Sequence, residues 1–393
     1  MTGLDQLPPL RREIVDLPLQ KIVGVATYAA NFDDVIPLWY GESDVVTAEP
    51  IREAAVAALR AGRTFYPDKS GVPALRQALS RYSTRLYGRE IAENRLTITA
   101  SGMAALMIAV QVICGPGENS VLVTPLWPNA EAILRIMKSE VRQVALSPDA
   151  SGRWHLDLDR LFAACDGKTR AIFINAPSNP TGWVCPREQQ QAILDFARKR
   201  RIWVIADEVY NRIVYDRPLA PSFLEVAQPD DPLIQVNSFS KTWAMTGWRL
   251  GWLTAPPALE PVLANLVEYT TSGAAEFAQY GAIEAVEKGE AHVAAFVDHC
   301  RRGRDIVGER LTRLNNVAYA PPEAAFYAFF RVEGLTDSLE FARKLVREAR
   351  VGVAPGIAFG PESEGWIRLC FAQGAERLSM AMDRLEGGLR GGF

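Results

Sequence analysis

From Leu96 to Pro256 the chain keeps returning to one pattern, a short apolar run that stops on residues able to engage a ligand. LTITA (96–100) stops at Ser101 and Gly102, SVLVTP (120–125) leads to Trp127, and RAIFINAPSNPTG (170–182) carries Asn179 in its turn. IWVIADEVY (202–210) then ends in Asp207, Glu208 and Tyr210, and LIQVNSFSK (233–241) ends on Lys241. RLGWLTAP (249–256) reads as one further strand. Runs of this length, rich in Ile, Val and Leu and separated by helical stretches, are what buried strands joined by crossover helices require. The pattern predicts an α/β domain with a mostly parallel sheet of about seven strands. Ligands of such sheets bind outside the carboxyl ends of the strands, so the residues that stop each run are the candidates.

Their chemistry points one way. Ser101–Gly102 opens a helix whose first amides lack intrahelical partners and suit a phosphate, although Ser is also an ordinary N-cap. In SFSKTWAMTGWRLGW (238–252), Ser238 and Ser240 precede Lys241, and Arg249 follows eight positions on. Hydroxyls and a guanidinium hold phosphate, and a desolvated lysine amine forms a Schiff base with a carbonyl. The stretch therefore suggests a phosphate-bearing aldehyde. Asp207, at the end of a buried strand, needs a partner or water, such as a protonated ring nitrogen. Tyr210, three residues on, falls on the same side of a helical turn. Asn179 either serves its own turn or turns its amide into a site.

Alternation in WIRLCFA (366–372) sets Arg368 on a face opposite Ile367, Leu369 and Phe371. A buried arginine is costly without an anion, which a substrate carboxylate or an internal salt bridge would supply. Gly41, which stops the apolar run in IPLWYGESD (36–44), allows a close backbone approach or is a plain turn. Tyr66, in TFYPDKSGVPALR, reads on its own as a packed or half-exposed aromatic.

A length of 393 residues implies two domains. The expected division is an N-terminal arm with one short helix and part of the small domain (1–40), a large domain (41–285) and a small C-terminal domain (286–393). A long helical region runs from Glu260 towards Leu314, with HCRRGR (299–304) on a polar face, and a second α/β pattern follows it. With 43 basic and 46 acidic residues, the net charge of −3 argues against nucleic acid or an anionic membrane as partner. Five scattered cysteines without a CxxC pair read as reduced thiols and not as a zinc site. The three histidines are not spaced as metal ligands, so no metal is expected. Without a signal-peptide pattern or a spanning run, the expected compartment is the cytoplasm.

Taken in order, the motifs Y..D.SG.P.LR, NAPSNPTG, ADEVY, SFSKTWAMTGWRLG and WIRLCFA give the chain, from Gly41 to Arg368, a resemblance to a known family. It resembles the pyridoxal-phosphate-dependent enzymes of fold type I, in particular the class I and II aminotransferases represented by aspartate aminotransferase. The resemblance implies a large domain with a mostly parallel seven-stranded sheet flanked by helices, plus a smaller α/β domain. It makes Lys241 the internal-aldimine lysine and proton carrier. It pairs Asp207 with the ring nitrogen of pyridoxal 5'-phosphate, sets Tyr210 and Asn179 on the phenolic oxygen and stacks Trp127 on the ring. Ser238, Arg249 and the amides of Gly102 and Met103 would hold the phosphate, with Ser240 contributing less. Tyr66 resembles the tyrosine that reaches the neighbouring subunit's phosphate, which implies a homodimer with shared active sites. Arg368 would grip the substrate carboxylate, helped by Asn179 and the Gly41 amide.

The implied reaction moves the amino group of an L-amino acid to a 2-oxo acid by a ping-pong mechanism. There are departures from the family pattern. Ala324 stands where the family often has glycine, SGMAAL lacks the more polar SGT start, and no second arginine for a dicarboxylate is identifiable. Trp39, Tyr40 and Phe359 suggest an apolar or aromatic-lined pocket instead. Lyases that eliminate a β-substituent, such as carbon–sulfur lyases, and cyclising synthases share the same lysine, aspartate and arginine. A half-reaction yielding pyridoxamine phosphate favours transfer, whereas release of pyruvate and ammonia without an acceptor favours elimination. A ligand-sensing regulator on this domain usually carries a DNA-binding module before it, for which the short arm leaves no room.

Overall fold

In the computed structural model, which describes residues 8–390, the six apolar runs become strands of one sheet, joined by a seventh strand, Glu140–Ala145, that was not among them. These are β1 (Leu96–Thr99), β2 (Asn119–Thr124), β3 (Glu140–Ala145), β4 (Thr169–Asn175), β5 (Trp203–Asp207), β6 (Leu233–Ser238) and β7 (Gly251–Thr254). Their order across the sheet is β1-β7-β6-β5-β4-β2-β3. Every neighbouring pair is parallel except those of β7, which is antiparallel to both β1 and β6. Because β7 alone is reversed, the other six strands point the same way and all their carboxyl ends meet at one edge. The amino end of β7 lies at that edge too, with Gly251 opposite both Thr99 and Ser238.

Helices cover both faces of this sheet, which explains why its inner strands are largely apolar rather than alternating, whereas β3, at the sheet's edge, carries charged residues and is mostly not buried. One core cluster gathers Ile98, Val121, Ile172, Val204 and Trp252 under the helices Pro73–Tyr87, Arg187–Arg200 and Glu276–Lys288. Another gathers Leu122, Phe173, Ile205, Val236 and Leu253 under the helix Gly102–Ile113. Burying each such aliphatic side chain contributes about 1.5–3 kcal/mol.

A third core cluster draws on both ends of the chain, from Ile22 to Trp39 and from Phe296 to Leu389. It surrounds a four-stranded antiparallel sheet of β8 (Val317–Ala318), β9 (Tyr327–Val332), β10 (Ala354–Pro355) and β11 (Trp366–Cys370), ordered β8-β9-β11-β10. Ile36–Pro37 adds a short parallel pair with Val351–Gly352, which ties the N-terminal segment to this unit.

Three expectations need correction. The arm holds two helices, not one, Arg12–Val15 and Lys21–Ala29. In the second, Ile22, Val25 and Ala29 recur on one helical face and are buried, a periodicity hidden within a polar, proline-containing segment. The first seven residues of the expected arm, and the last three of the expected small domain, lie outside the described residues. The long helical region is three helices, Glu260–Thr271, Glu276–Lys288 and Glu290–Leu311. The first break has Ser272 and Gly273 at positive φ, and the second falls at Gly289. Within HCRRGR, Cys300 and Gly303 face the core; a Cβ on Gly303 would stand 2.1 Å from Phe371 O.

Candidate active site

The shared strand edge opens into a cavity of about 280 Å³. Every residue to which the resemblance gives a role in binding cofactor or substrate lines it except Tyr66. Tyr66 is 88 % exposed and stands with Phe65 and Pro67 beside the loop Thr271–Ala275, at a separate surface depression.

One end of the cavity gathers hydrogen-bond donors and a guanidinium. Ser101, held at φ 131°, ends β1 and caps the helix Gly102–Ile113 by accepting the Ala104 amide (3.0 Å). The amides of Gly102 and Met103 ahead of it have no intrahelical partner. Facing them is the end of β6, where Ser238 Oγ accepts the Ser240 amide at 3.1 Å and lies 2.9 Å from Ser240 Oγ. The contact is close, since a Cβ on Gly102 would sit 3.1 Å from Ser238 Cβ. Arg249, exposed and at positive φ just before β7, closes this end with a guanidinium. Gly251 makes the approach of β7 possible: a Cβ there would lie 2.6 Å from Gly102 N and 2.7 Å from the Ser101 carbonyl carbon.

The middle of the cavity holds Lys241 and Asp207. Lys241 Nζ donates to Gly41 O at 2.6 Å and stands 6.0 Å from the centre of the Tyr210 ring. Burial lowers its pKa to about 8, and the Arg368 and Arg249 guanidinium groups push the same way. Asp207, 5 % exposed, accepts one long bond from the Val209 amide (3.3 Å). Burial raises its carboxyl to about 7, against the opposing pull of that amide and of Lys241. Its neighbour Glu208 is turned away and spent on the fold, accepting from Ser222 Oγ (2.6 Å), Gln235 Nε2 (2.7 Å) and the Phe223 amide (2.9 Å).

Arg368 closes the far end. Registered against Phe329 on β9, it is 2 % exposed, and its guanidinium stacks 4.4 Å from the Tyr327 ring centre and 4.9 Å from that of Phe359. Nη1 donates to Asn179 Oδ1 at 2.9 Å, Nη2 donates to Trp39 O, and Nε is buried without a partner. Its polar partners among the described residues are neutral, so the internal salt bridge allowed by the sequence is not formed. A buried guanidinium with a spare donor at a cavity wall has the chemistry to bind a carboxylate.

Two residues that the sequence reading passed over organise this geometry. Asn175, at the end of β4, accepts the Asn179 amide (2.7 Å) and donates to Asp207 O (3.2 Å), tying the NAPSNP turn to β5. That turn in turn fixes Trp127, whose amide donates to Asn179 O at 3.1 Å. Tyr327 places its hydroxyl 2.6 Å from that of Tyr210, beneath Arg368. It also explains Gly41, where a Cβ would stand 1.9 Å from the Tyr327 hydroxyl. Asn175 was findable, since it ends a strand like the others; Tyr327 was hidden in the aromatic run AAFYAFF. Phe359 lies behind Arg368 and not on the cavity wall, whereas Trp39 and Tyr40 are on it.

The sequence profile described as Aminotransferase class I and II matches residues 33–385. Aspartate aminotransferase of Thermotoga maritima is 32% identical over 95% of this chain and 98% of its own. Its crystal structure superposes with a TM-score of 0.90, covering 96% of this chain and 99% of that one. Aromatic-amino-acid aminotransferase 2 of Thermococcus litoralis is 32% identical over 91% of this chain and 92% of its own. Among the described residues no helix is long and apolar enough to cross a membrane.

Proposed function

The chain belongs to the class I and II aminotransferase family and is an enzyme of that class, and from that premise we propose that it passes the amino group of an L-amino acid to a 2-oxo acid in two half-reactions, with pyridoxal 5'-phosphate in the cavity described above. One observation carries the reading. Lys241, Asp207 and Arg368 share one cavity, and none of them appears among the described ion pairs, so each charge is left for a ligand.

The residues present fit the cofactor. A carboxylate as dry as Asp207 needs a cation, and a protonated pyridine nitrogen is one. Tyr210 and Asn179 would hold the ring's phenolic oxygen, and Trp127 would cover its face. The open helix end at Gly102 and Met103, with Ser238, Ser240 and Arg249, would hold the phosphate. Tyr66 of a second copy would complete that grip. When bound, the cofactor supplies a cationic ring that accepts the electrons left on the substrate Cα.

The remaining work falls to the chain. Arg368 and Asn179, with the Gly41 amide, hold the substrate α-carboxylate and so fix which Cα bond faces Lys241. Lys241 Nζ takes the Cα proton and later returns one, for which a pKa of about 8 suits an acid and base in turn. The aromatic walls keep water from the reacting carbon.

We also infer a homodimer with shared sites in the cytoplasm, with an arm over 1–40, a large domain over 41–285 and a small domain over 286–393. Exposed Phe65, Tyr66 and Tyr269 support the first, five free and buried cysteines the second, and the separate core clusters the third.

The test is Lys241→Ala. It should still bind donor and cofactor, yet lose at least about a hundredfold in kcat, read by absorbance in single turnovers. The wild-type enzyme should give parallel double-reciprocal plots for donor and acceptor. Undiminished turnover by the variant would refute the assignment.

A further inference from the structure

The cations lining the cavity among the described residues are Lys241, Arg249 and Arg368. On the function proposed above each is committed. Lys241 serves the reacting carbon, Arg249 stands at the anion end beside Ser238, and Arg368 has its spare Nε for the α-carboxylate. The rest of the wall towards the arm and the ring site is Ile22, Trp39, Tyr40, Met103 and Trp127. Beyond Met103, Gln20 and Asn129 are occupied with one another. Gln20 Nε2 donates to Asn129 Oδ1, and Asn129 Nδ2 reaches Met103 Sδ at 3.6 Å. Towards the arm and the ring site this chain offers a substrate side chain apolar and aromatic surface, and the neutral polar residues elsewhere on the wall, Asn175 and Thr246 among them, supply no counter-charge.

We propose that the amino donor and its 2-oxo acid carry a bulky, uncharged, apolar side chain, aliphatic, thioether or aromatic, and that a second carboxylate is rejected. A carboxylate set against such a wall would lose its hydration without a partner, whereas an apolar side chain releases water from both surfaces. The inference rests on Arg368 holding the α-carboxylate, and the experiment separates the two.

The holoenzyme is mixed with L-leucine, L-methionine, L-phenylalanine, L-aspartate or L-glutamate, and single half-reactions are followed by absorbance. The best apolar donor should exceed both dicarboxylates in kcat/KM by at least roughly a hundredfold. Independently of turnover, quenching of tryptophan fluorescence, with Trp39 and Trp127 on the wall, reports binding of 3-phenylpropanoate against succinate. The monocarboxylate should bind at least about tenfold more tightly. Equal or better use of aspartate or glutamate, or tighter binding of succinate, overturns the proposal and points to a cation supplied by a partner subunit. If Arg368→Gln leaves binding of 3-phenylpropanoate unchanged, the carboxylate assignment beneath it fails instead. If the wild-type enzyme converts no donor and binds neither acid, both are overturned.

Discussion

Two adjacent carboxylates at the end of β5 show how one position decides a role. Strand alternation sends Glu208 into a shell of three donors and leaves Asp207 facing the cavity with one distant amide. Burial pushes both up to about 7, yet only Asp207 has room for a ligand. That distinction was legible, because Asp207 closes the apolar run and a buried acid there lacks a local partner. Tyr327 was not legible, since its function depends on a hydroxyl 117 positions away in sequence. Lys241 yields a prediction at this scale. A neutral amine attacks a carbonyl and a protonated one does not. A pKa lowered from 10.5 to about 8 means that the reactive form is lost as pH falls through about 8, not through the usual lysine range. Apoprotein mixed with pyridoxal phosphate and trapped with borohydride should therefore label Lys241 with a rate that rises with pH and has its midpoint near 8. Mass spectrometry of the peptide reads the yield, and a midpoint near that of free lysine would show that burial does not tune this amine.

At the level of elements, the site exists because six strands share a direction and the seventh runs against them. Six of the seven strands were readable as apolar runs; β3 was not, because its EVRQVA carries charged residues on an edge that is mostly not buried. The reversal of β7 was not, because an edge or inner strand of either direction has the same alternation once both faces are covered. Its consequence is concentrated at Gly251, where any side chain would meet the backbone of Ser101, Gly102 and Asn237 within 3 Å. Gly247, in the same motif, has nothing within 4 Å of its would-be Cβ. The two glycines look alike in sequence and should behave differently. Gly251→Ala should cost roughly 1–3 kcal/mol in denaturant unfolding and weaken phosphate binding by separating β7 from the helix end. Gly247→Ala should stay within about 0.5 kcal/mol of the parent and keep its phosphate affinity. Equal effects of the two changes would mean that the phosphate end does not depend on how closely β7 approaches.

For the molecule as a whole, residues 22–39 and 296–389 contribute to one core, so the helix Lys21–Ala29 packs with the C-terminal elements and carries Ile22 to the cavity. Sequence periodicity could mark the helix Lys21–Ala29 but not its destination, since packing between residues more than 300 positions apart leaves no local trace. The opposite problem arises at Tyr66. Within one chain it touches no part of the site, and with Phe65 (80 % exposed) and Tyr269 (82 % exposed) it gives the surface aromatic groups that a lone soluble chain gains nothing by exposing. A second copy bringing Tyr66 to the neighbouring phosphate end would account for both its exposure and its place in the Y..D.SG motif. Sedimentation should then find a dimer, and Phe65→Asp combined with Tyr269→Asp should yield monomers that release the cofactor. Tyr66→Phe should leave the dimer intact while weakening cofactor binding by about tenfold to a hundredfold, the loss of one hydrogen bond to a charged group. A monomer that keeps its cofactor and full turnover would show instead that each chain closes its own site, and the exposed aromatics would need another partner.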